Sequence, residues 1–257
     1  MATKVICVAN QKGGVGKTTT AVSLGHGLAL AGKDVLIIDL DPQGQCATAL
    51  GMNPDLGAFY LLMMGGATGS EIDFVRQWIR KTSRERLMLI PGNQETMAAQ
   101  SLMAAQERPV SYIREAIRPF IKDGWNYILF DTAPSVGGIQ ERAIWAADLV
   151  IVPTATEFLS TDGVAKIIST LHVLQEKKEW KGSLLGVLPT FYDEQTRESA
   201  SAIQDLRQGF VERLLDPIHR ATVLRECAAE GRTIFERNPQ SRAAQEYQEL
   251  VKLVLKY

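Results

Sequence analysis

Apolar positions along the chain fall into two patterns that alternate. Residues 5–9, 35–40, 87–91, 127–131, 149–153 and 184–189 form short runs that are apolar at nearly every position. Such runs predict strands covered on both faces, because a strand with one wet face would alternate. Between them, residues 19–31, 110–121, 162–176 and 198–208 repeat their apolar positions at helical spacing. This alternation predicts an α/β fold: a doubly wound, mostly parallel sheet with helices on both faces. In such sheets ligands collect at the carboxyl ends of the strands. Residues 51–85 interrupt the pattern with Gly65, Gly66 and Gly69 and an amphipathic piece at 74–79, and they predict a loop-and-helix excursion. One domain over residues 1–257 is expected, since an α/β unit of this length can enclose one large core.

Composition narrows the function classes only a little. The chain is 46% hydrophobic and 22% charged, ordinary globular values. A net charge of -1 and a pI of about 6.3 give no global attraction to nucleic acid or an acidic membrane. The cysteines, Cys7, Cys46 and Cys227, are odd in number and far apart, so no disulfide framework or paired metal motif is readable. A reducing compartment suits that usage. No apolar run approaches the roughly 20 residues of a membrane span, and the N-terminus has no charged-then-apolar leader. A soluble, cytoplasmic protein is expected.

The first concentrated chemistry is at residues 11–18, Gln-Lys-Gly-Gly-Val-Gly-Lys-Thr, directly after the first apolar run and before an Ala/Leu-rich helix. Strand, glycine-rich loop and helix in that order make a phosphate-binding loop. Gly13, Gly14 and Gly16 let backbone N–H groups converge on phosphate oxygens, and the helix aims its positive end at the same place. Residues Lys12, Gly13, Gly14, Val15, Gly16, Lys17, Thr18 and Thr19 are the expected nucleotide contacts. Lys17 is expected to bridge the β- and γ-phosphates and Thr18 to ligate Mg²⁺, so ATP and Mg²⁺ are the expected cofactors. Gln11 stands where the usual pattern has its first glycine, and Lys12 adds a second lysine.

Three acids fall at predicted strand ends. Asp39 and Asp41 lie two apart, hence on one side of the strand terminus. Like charges that close need a cation or a water network between them. Asp131 ends the run YILFD, an arrangement in which the carboxylate holds Mg²⁺, often through water.

The form Lys-Gly-Gly-x-Gly-Lys-Thr resembles the deviant Walker-A ATPases, among them ParA partition ATPases, MinD, nitrogenase iron protein and arsenite-pump ATPases. The strings KGGVGKTTTAVSLGHGLA, VLIIDLDPQG, LIPGN, DTAPS and LPTFYDEQTRES are similar to the short ParA (Soj-like) branch and cover nearly the whole chain. The resemblance implies an ATP-sandwich homodimer in which Lys12 reaches the partner's phosphates. It implies that Asp41 orients the attacking water while Asp39 supports the loop and the metal's water shell. Gln45 stands where the family's first switch carries Asn. Residues 132–135 with Gly137 and Gly138 resemble the second switch. Thr190, Phe191 and Pro217 fall in the regions that hold the adenine.

The resemblance further implies slow hydrolysis stimulated by a ParB-like or cargo-adaptor activator protein, sequence-independent DNA binding in the ATP state, positioning of a DNA or organelle cargo, and nucleoid association. Arg220, Arg225, Arg232 and Lys181 are the candidate DNA contacts, with Val223 where relatives often carry arginine. Charge alone adds no support, since residues 176–257 hold 13 Lys plus Arg against 13 Asp plus Glu. A MinD-like membrane-positioning ATPase is the alternative. The tail stripe of Tyr247, Leu250, Val251 and Val254, however, carries few cations and predicts a helix docked on the core, so no stable membrane association is expected. A metal-cluster carrier is a third possibility, disfavoured by cysteines without partners.

Overall fold

The computed structural model describes residues 2–65, 69–135, 138–156 and 160–257. Each of the six apolar runs becomes a strand. In chain order the elements are β1 (Lys4–Val8), α1 (Lys17–Leu30), β2 (Val35–Leu40), α2 (Gln45–Ala49), α3 (Gly57–Met63), α4 (Ser70–Arg76), β3 (Arg80–Lys81), β4 (Leu87–Ile90), α5 (Glu95–Ala105) and α6 (Tyr112–Lys122). They continue with β5 (Tyr127–Thr132), α7 (Gly138–Ala146), β6 (Leu149–Ala155), α8 (Ser160–Lys178), β7 (Ser183–Thr190), α9 (Arg197–Gly209), α10 (Thr222–Glu230), α11 (Ile234–Arg237) and α12 (Arg242–Val254). The sheet has seven strands in the order β3-β4-β2-β5-β1-β6-β7. All neighbours run parallel except β3, which pairs antiparallel to β4 at the edge. This two-residue strand lies inside the excursion 51–85 and is too short to show any periodicity.

Side chains from successive strand positions enter two separate cores. Val5, Cys7, Leu36, Ile38, Ile128 and Phe130 face one, which α3 and α5–α8 close with residues such as Ile117, Phe120 and Ile167. Ile6, Val35, Ile37, Leu129 and Ile151 face the other, closed by α1, α10 and α12. Strands apolar on both sides follow from this double cover.

The parallel order puts the carboxyl ends of β1, β2 and β5 side by side. Asp39 pairs in register with Asp131, and Val8 pairs with Asp131 from the other side. The phosphate loop and two of the three acids are therefore neighbours by topology.

The tail helix docks as the stripe predicted. Tyr247, Leu250, Val251 and Val254 are buried in the core beside α1, and the Tyr247 hydroxyl lies 3.4 Å from Thr20 Oγ1. Ser241 caps the helix by accepting from Ala244 N–H. No helix among the described residues is long and apolar enough to cross a membrane. Tyr247→Ala is expected to cost about 3–5 kcal/mol in a chemical denaturation experiment, the range for emptying a buried aromatic site; a loss below about 1 kcal/mol would show that α12 does not depend on this contact.

Candidate functional site

The loop between β1 and α1 is held at both ends by contacts distant in sequence. At its start, Asn10 Nδ2 donates to the Pro153 carbonyl at 2.7 Å, while Asn10 Oδ1 accepts from Lys12 N–H at 2.9 Å. At its end, Thr190 Oγ1 donates to the Val15 carbonyl at 2.9 Å. Gly14 and Gly16 take φ of 69° and 83°, which an L side chain resists. Helix α8 packs close over the loop: a methyl group on Gly163 would come within 3.3 Å of Lys12 Cβ. The second switch approaches from the other side, with Pro134 against Gly13. Gly137, expected in that switch, lies outside the described residues.

Lys17 is buried and its ammonium donates to the Lys12 carbonyl at 2.9 Å. Burial lowers its pKa, and the carboxylates of Asp131 and Asp41 oppose that shift. A buried cation with one neutral partner and two acids near it is poised for a polyanion.

Asp131 is wholly buried. Its Oδ2 accepts from Thr18 Oγ1 at 2.7 Å and from the Cys46 thiol at 3.3 Å. Its Oδ1 is buried with no hydrogen-bond partner among the described residues. Burial pushes this carboxyl up to about 6, while the Thr18 and Cys46 hydrogen bonds pull it down. A hard divalent cation fits here, because it ligates carboxylate and hydroxyl oxygens and would satisfy the orphaned oxygen. Thr18 and Asp131 are the residues that would hold Mg²⁺.

Asp39 supports the loop that follows β2. Its Oδ1 accepts from Asp41 N–H at 3.1 Å and its Oδ2 from Cys46 N–H at 3.0 Å. Both oxygens thus hold the turn that leads into α2, although the carboxylate stands in one cluster with Cys46 and Asp131. Burial, then the neighbouring Asp131, raises its pKa well above the usual carboxylate range. Asp41 is nearly buried, and its Oδ1 accepts from Gln43 N–H at 2.9 Å, which orients the side chain at the rim of the site.

A cavity of about 280 Å³ opens beside the loop, lined by Gly16, Thr19, Thr190, Phe191, Ile218 and Tyr247 among others. Phe191 adopts φ 52°, uncommon for an aromatic residue, and this turns its ring toward Gly16. Thr190 and Phe191 are where the sequence reading put them. Pro217 is not among the lining residues; Ile218 takes that place, because its N–H bonds to Pro189 O and its carbonyl to Tyr192 N–H, fixing the neighbour inward. A larger space of about 510 Å³ adjoins, between α1, α2 and α10, bordered by Thr18, Gln45, Thr48 and Arg232.

The four candidate DNA contacts do not form one patch. Arg225 borders the 280 Å³ cavity and Arg232 the 510 Å³ one, near the carboxyl edge of the sheet. Arg220 follows the Tyr192–His219 bridge at the same edge. Lys181 precedes the amino end of β7, and eight residues of strand, roughly 23 Å, separate it from Thr190.

Sequence reasoning missed several residues that organise the site. Gln140, from α7, donates to the Ala133 carbonyl at 2.7 Å and the Asn10 carbonyl at 3.3 Å, tying the second switch to the phosphate loop. Cys46 donates to Asp131. Neither sits in a motif whose spacing predicts the contact, so no local signal could have found them.

Two buried acids side by side cost the metal-free fold stability. Asp131→Asn is expected to raise the metal-free melting temperature, by about 2–4 °C for each kcal/mol recovered, and to remove the further rise that Mg²⁺ with nucleotide gives the unsubstituted protein. Thermal melts with and without Mg²⁺-nucleotide check both halves; a lowered metal-free melting point would refute the repulsion.

Comparison with known proteins agrees with the geometry. The AAA_31 family model, an AAA domain, matches residues 3–183. The chromosome-partitioning ATPase Soj of Thermus thermophilus is 33% identical over 251 residues, covering 97% of this chain and 94% of that protein. The sporulation initiation inhibitor protein Soj of Bacillus subtilis is 32% identical over 255 residues, with 98% of each covered. The fold matches that of McdA from Cyanothece in complex with ATP, with a TM-score of 0.85, 23% identity and 99% and 97% of the two chains covered. Helices on both faces of a parallel sheet, the two-lysine phosphate loop and near-full-length similarity to Soj together mean that this chain belongs to the ParA/MinD family of P-loop ATPases.

Proposed function

We propose that this positioning ATPase is a nucleotide-gated switch: it dimerises on Mg-ATP, holds DNA without regard to sequence, and lets go when an activator protein stimulates hydrolysis. The observation that carries the reading is the orphaned, buried Asp131 oxygen beside the Thr18 hydroxyl, at the end of a loop whose buried Lys17 ammonium donates to the Lys12 carbonyl.

In this reading the loop N–H groups and Lys17 bind the β- and γ-phosphates, and Thr18 and Asp131 hold Mg²⁺. The metal supplies charge neutralisation at the phosphates. Asp41 orients the water whose oxygen bonds the γ-phosphorus as the bond to the bridging oxygen breaks, giving ADP and phosphate. Lys12, at the loop's outer lip, reaches the second protomer's phosphates, so the dimer is stable only with ATP in place. The segment around Pro134 lies against the loop at Gly13 and Asp41 lies in the field of Lys17, so both would sense the γ-phosphate. Basal turnover is slow because the activator has to complete this geometry. The Soj relatives are named for chromosome partitioning and sporulation, which favours DNA as the surface on which the dimer is held, with nucleoid association as the outcome. Arg220, Arg225 and Arg232, which share the carboxyl edge, are the proposed contacts. Lys181, at the other edge, is the weakest of the four.

Lys17→Ala is expected to abolish ATP binding, read by fluorescent-nucleotide titration. Asp41→Ala should keep binding and accumulate the dimer in light scattering with ATP; turnover at the unsubstituted rate would remove its assigned role. DNA binding should need ATP rather than ADP, ignore sequence, and weaken with salt, the logarithm of the affinity falling by about 0.9 per phosphate contact for each tenfold rise in salt. Full turnover with no DNA binding in any nucleotide state would overturn the DNA surface and favour the membrane-positioning alternative, which liposome sedimentation would then test.

A further inference from the structure

Arg84 lies in the turn between β3 and β4, outside every motif. Thr82 fixes that turn: its hydroxyl accepts from Arg84 N–H at 3.1 Å and donates to the Leu87 carbonyl at 2.8 Å. The Arg84 side chain is only 4% exposed, rare for arginine unless its donors are paired. Nη1 donates to the Leu50 carbonyl at 2.6 Å and Nη2 to the Gly231 carbonyl at 2.8 Å. Nε and Nη2 also reach Glu236 Oε2, at 3.2 and 2.7 Å.

Leu50 and Gly231 are the residues that end α2 and α10. Terminal carbonyls carry the negative end of each helix dipole, so one guanidinium neutralises two helix ends at once. The segments that follow the two helices touch there. Gly51 and Gly231 both have positive φ, 73° and 65°, and a Cβ on Gly231 would fall 2.5 Å from Gly51 Cα. There is no slack between α2 and α10 at this point.

These two helices flank opposite parts of the nucleotide site. Helix α2 carries Cys46, bonded to Asp39 and Asp131. Helix α10 carries Leu224, Arg225 and Ala228 to the 280 Å³ cavity. The clamp extends to α1 as well: Glu236 accepts from Thr233 N–H at 2.7 Å, and Thr233 Oγ1 lies 2.6 Å from His26 Nδ1.

We propose that Arg84 is a positioning residue: by clamping α2 to α10 it sets the width of the nucleotide site and hence its affinity for adenine nucleotide, which it never touches. The proposal rests on the ATP reading of the site. Lysine at this position keeps the charge but cannot fork to two carbonyls and a carboxylate. Alanine at Gly231 leaves Arg84 intact and forces the same two helices apart.

The test compares Arg84→Lys, Gly231→Ala and a control, Ile117→Val in α6, which loosens the core on the opposite face of the sheet. A labelled ADP titration gives Kd, ATPase assays give KM and kcat, and thermal melts give the stability loss of each. Both clamp variants should raise Kd and KM by about tenfold, within the usual range for coupling between sites, with kcat changed by less than about twofold. The control should leave Kd unchanged for a comparable loss of melting temperature. If the clamp variants fold and bind ADP within twofold of the unsubstituted protein, or if the control loses as much affinity, Arg84 is only structural and the proposal fails. Should Arg84→Lys not fold, Gly231→Ala decides alone. If the unsubstituted protein binds no adenine nucleotide, it is the ATP reading that fails.

Discussion

Two carboxylates, Asp39 and Asp131, end neighbouring strands in register and are wholly buried. Charge cannot be buried without partners, and like charges raise that cost. The surrounding site answers this constraint. Asp39 is quieted by two backbone N–H groups from the turn that follows it. Asp131 is partly quieted by a hydroxyl and a thiol, and Lys17 supplies positive charge nearby. One oxygen of Asp131 is left over. The division of labour between the acids follows from what each accepts: Asp39 holds a turn in place, and Asp131 retains capacity for a cation.

The same economy governs the phosphate loop. A glycine-rich segment has many conformations, and a chain that fixed it only locally would lose much entropy on binding. Here Asn10, Thr190 and Gln140 bring hydrogen bonds from β6, β7 and α7 to it. These elements also border the two switch segments and the base-sized cavity. The phosphate loop is thus joined, through shared contacts, to the segment around Ala133 and to the wall of the cavity.

The second half of the chain contributes walls rather than chemistry. β7, α10 and α12 supply Thr190, Phe191, Leu224 and Tyr247 to the cavity. Arg84 joins α10 to α2 across more than a hundred residues of sequence. The motifs of the first 135 residues hold the acids and the lysines but not the spacing between the walls of the cavity.

The sequence by itself determined the layers and the phosphate chemistry. Double burial makes strands apolar throughout, so the six runs, their alternation with helices and the site at the carboxyl edge could be read from local pattern. The phosphate loop, the place of Asp131 at a strand end and the docking of α12 were legible for the same reason, since each is encoded within a few consecutive residues. Tertiary structure decided what depends on partners far along the chain. Which N–H groups Asp39 accepts from, those of residues 41 and 46, depends on how the turn after β2 folds back. Ile218 rather than Pro217 lines the cavity because hydrogen bonds to Pro189 and Tyr192 set which side chain turns inward. Lys181 separates from the three arginines because a parallel strand puts its two ends at opposite edges of the sheet. The two-residue β3, the bridging Gln140 and the buried Arg84 left no periodic trace, because a single long-range contact imposes no repeat on the residues around it.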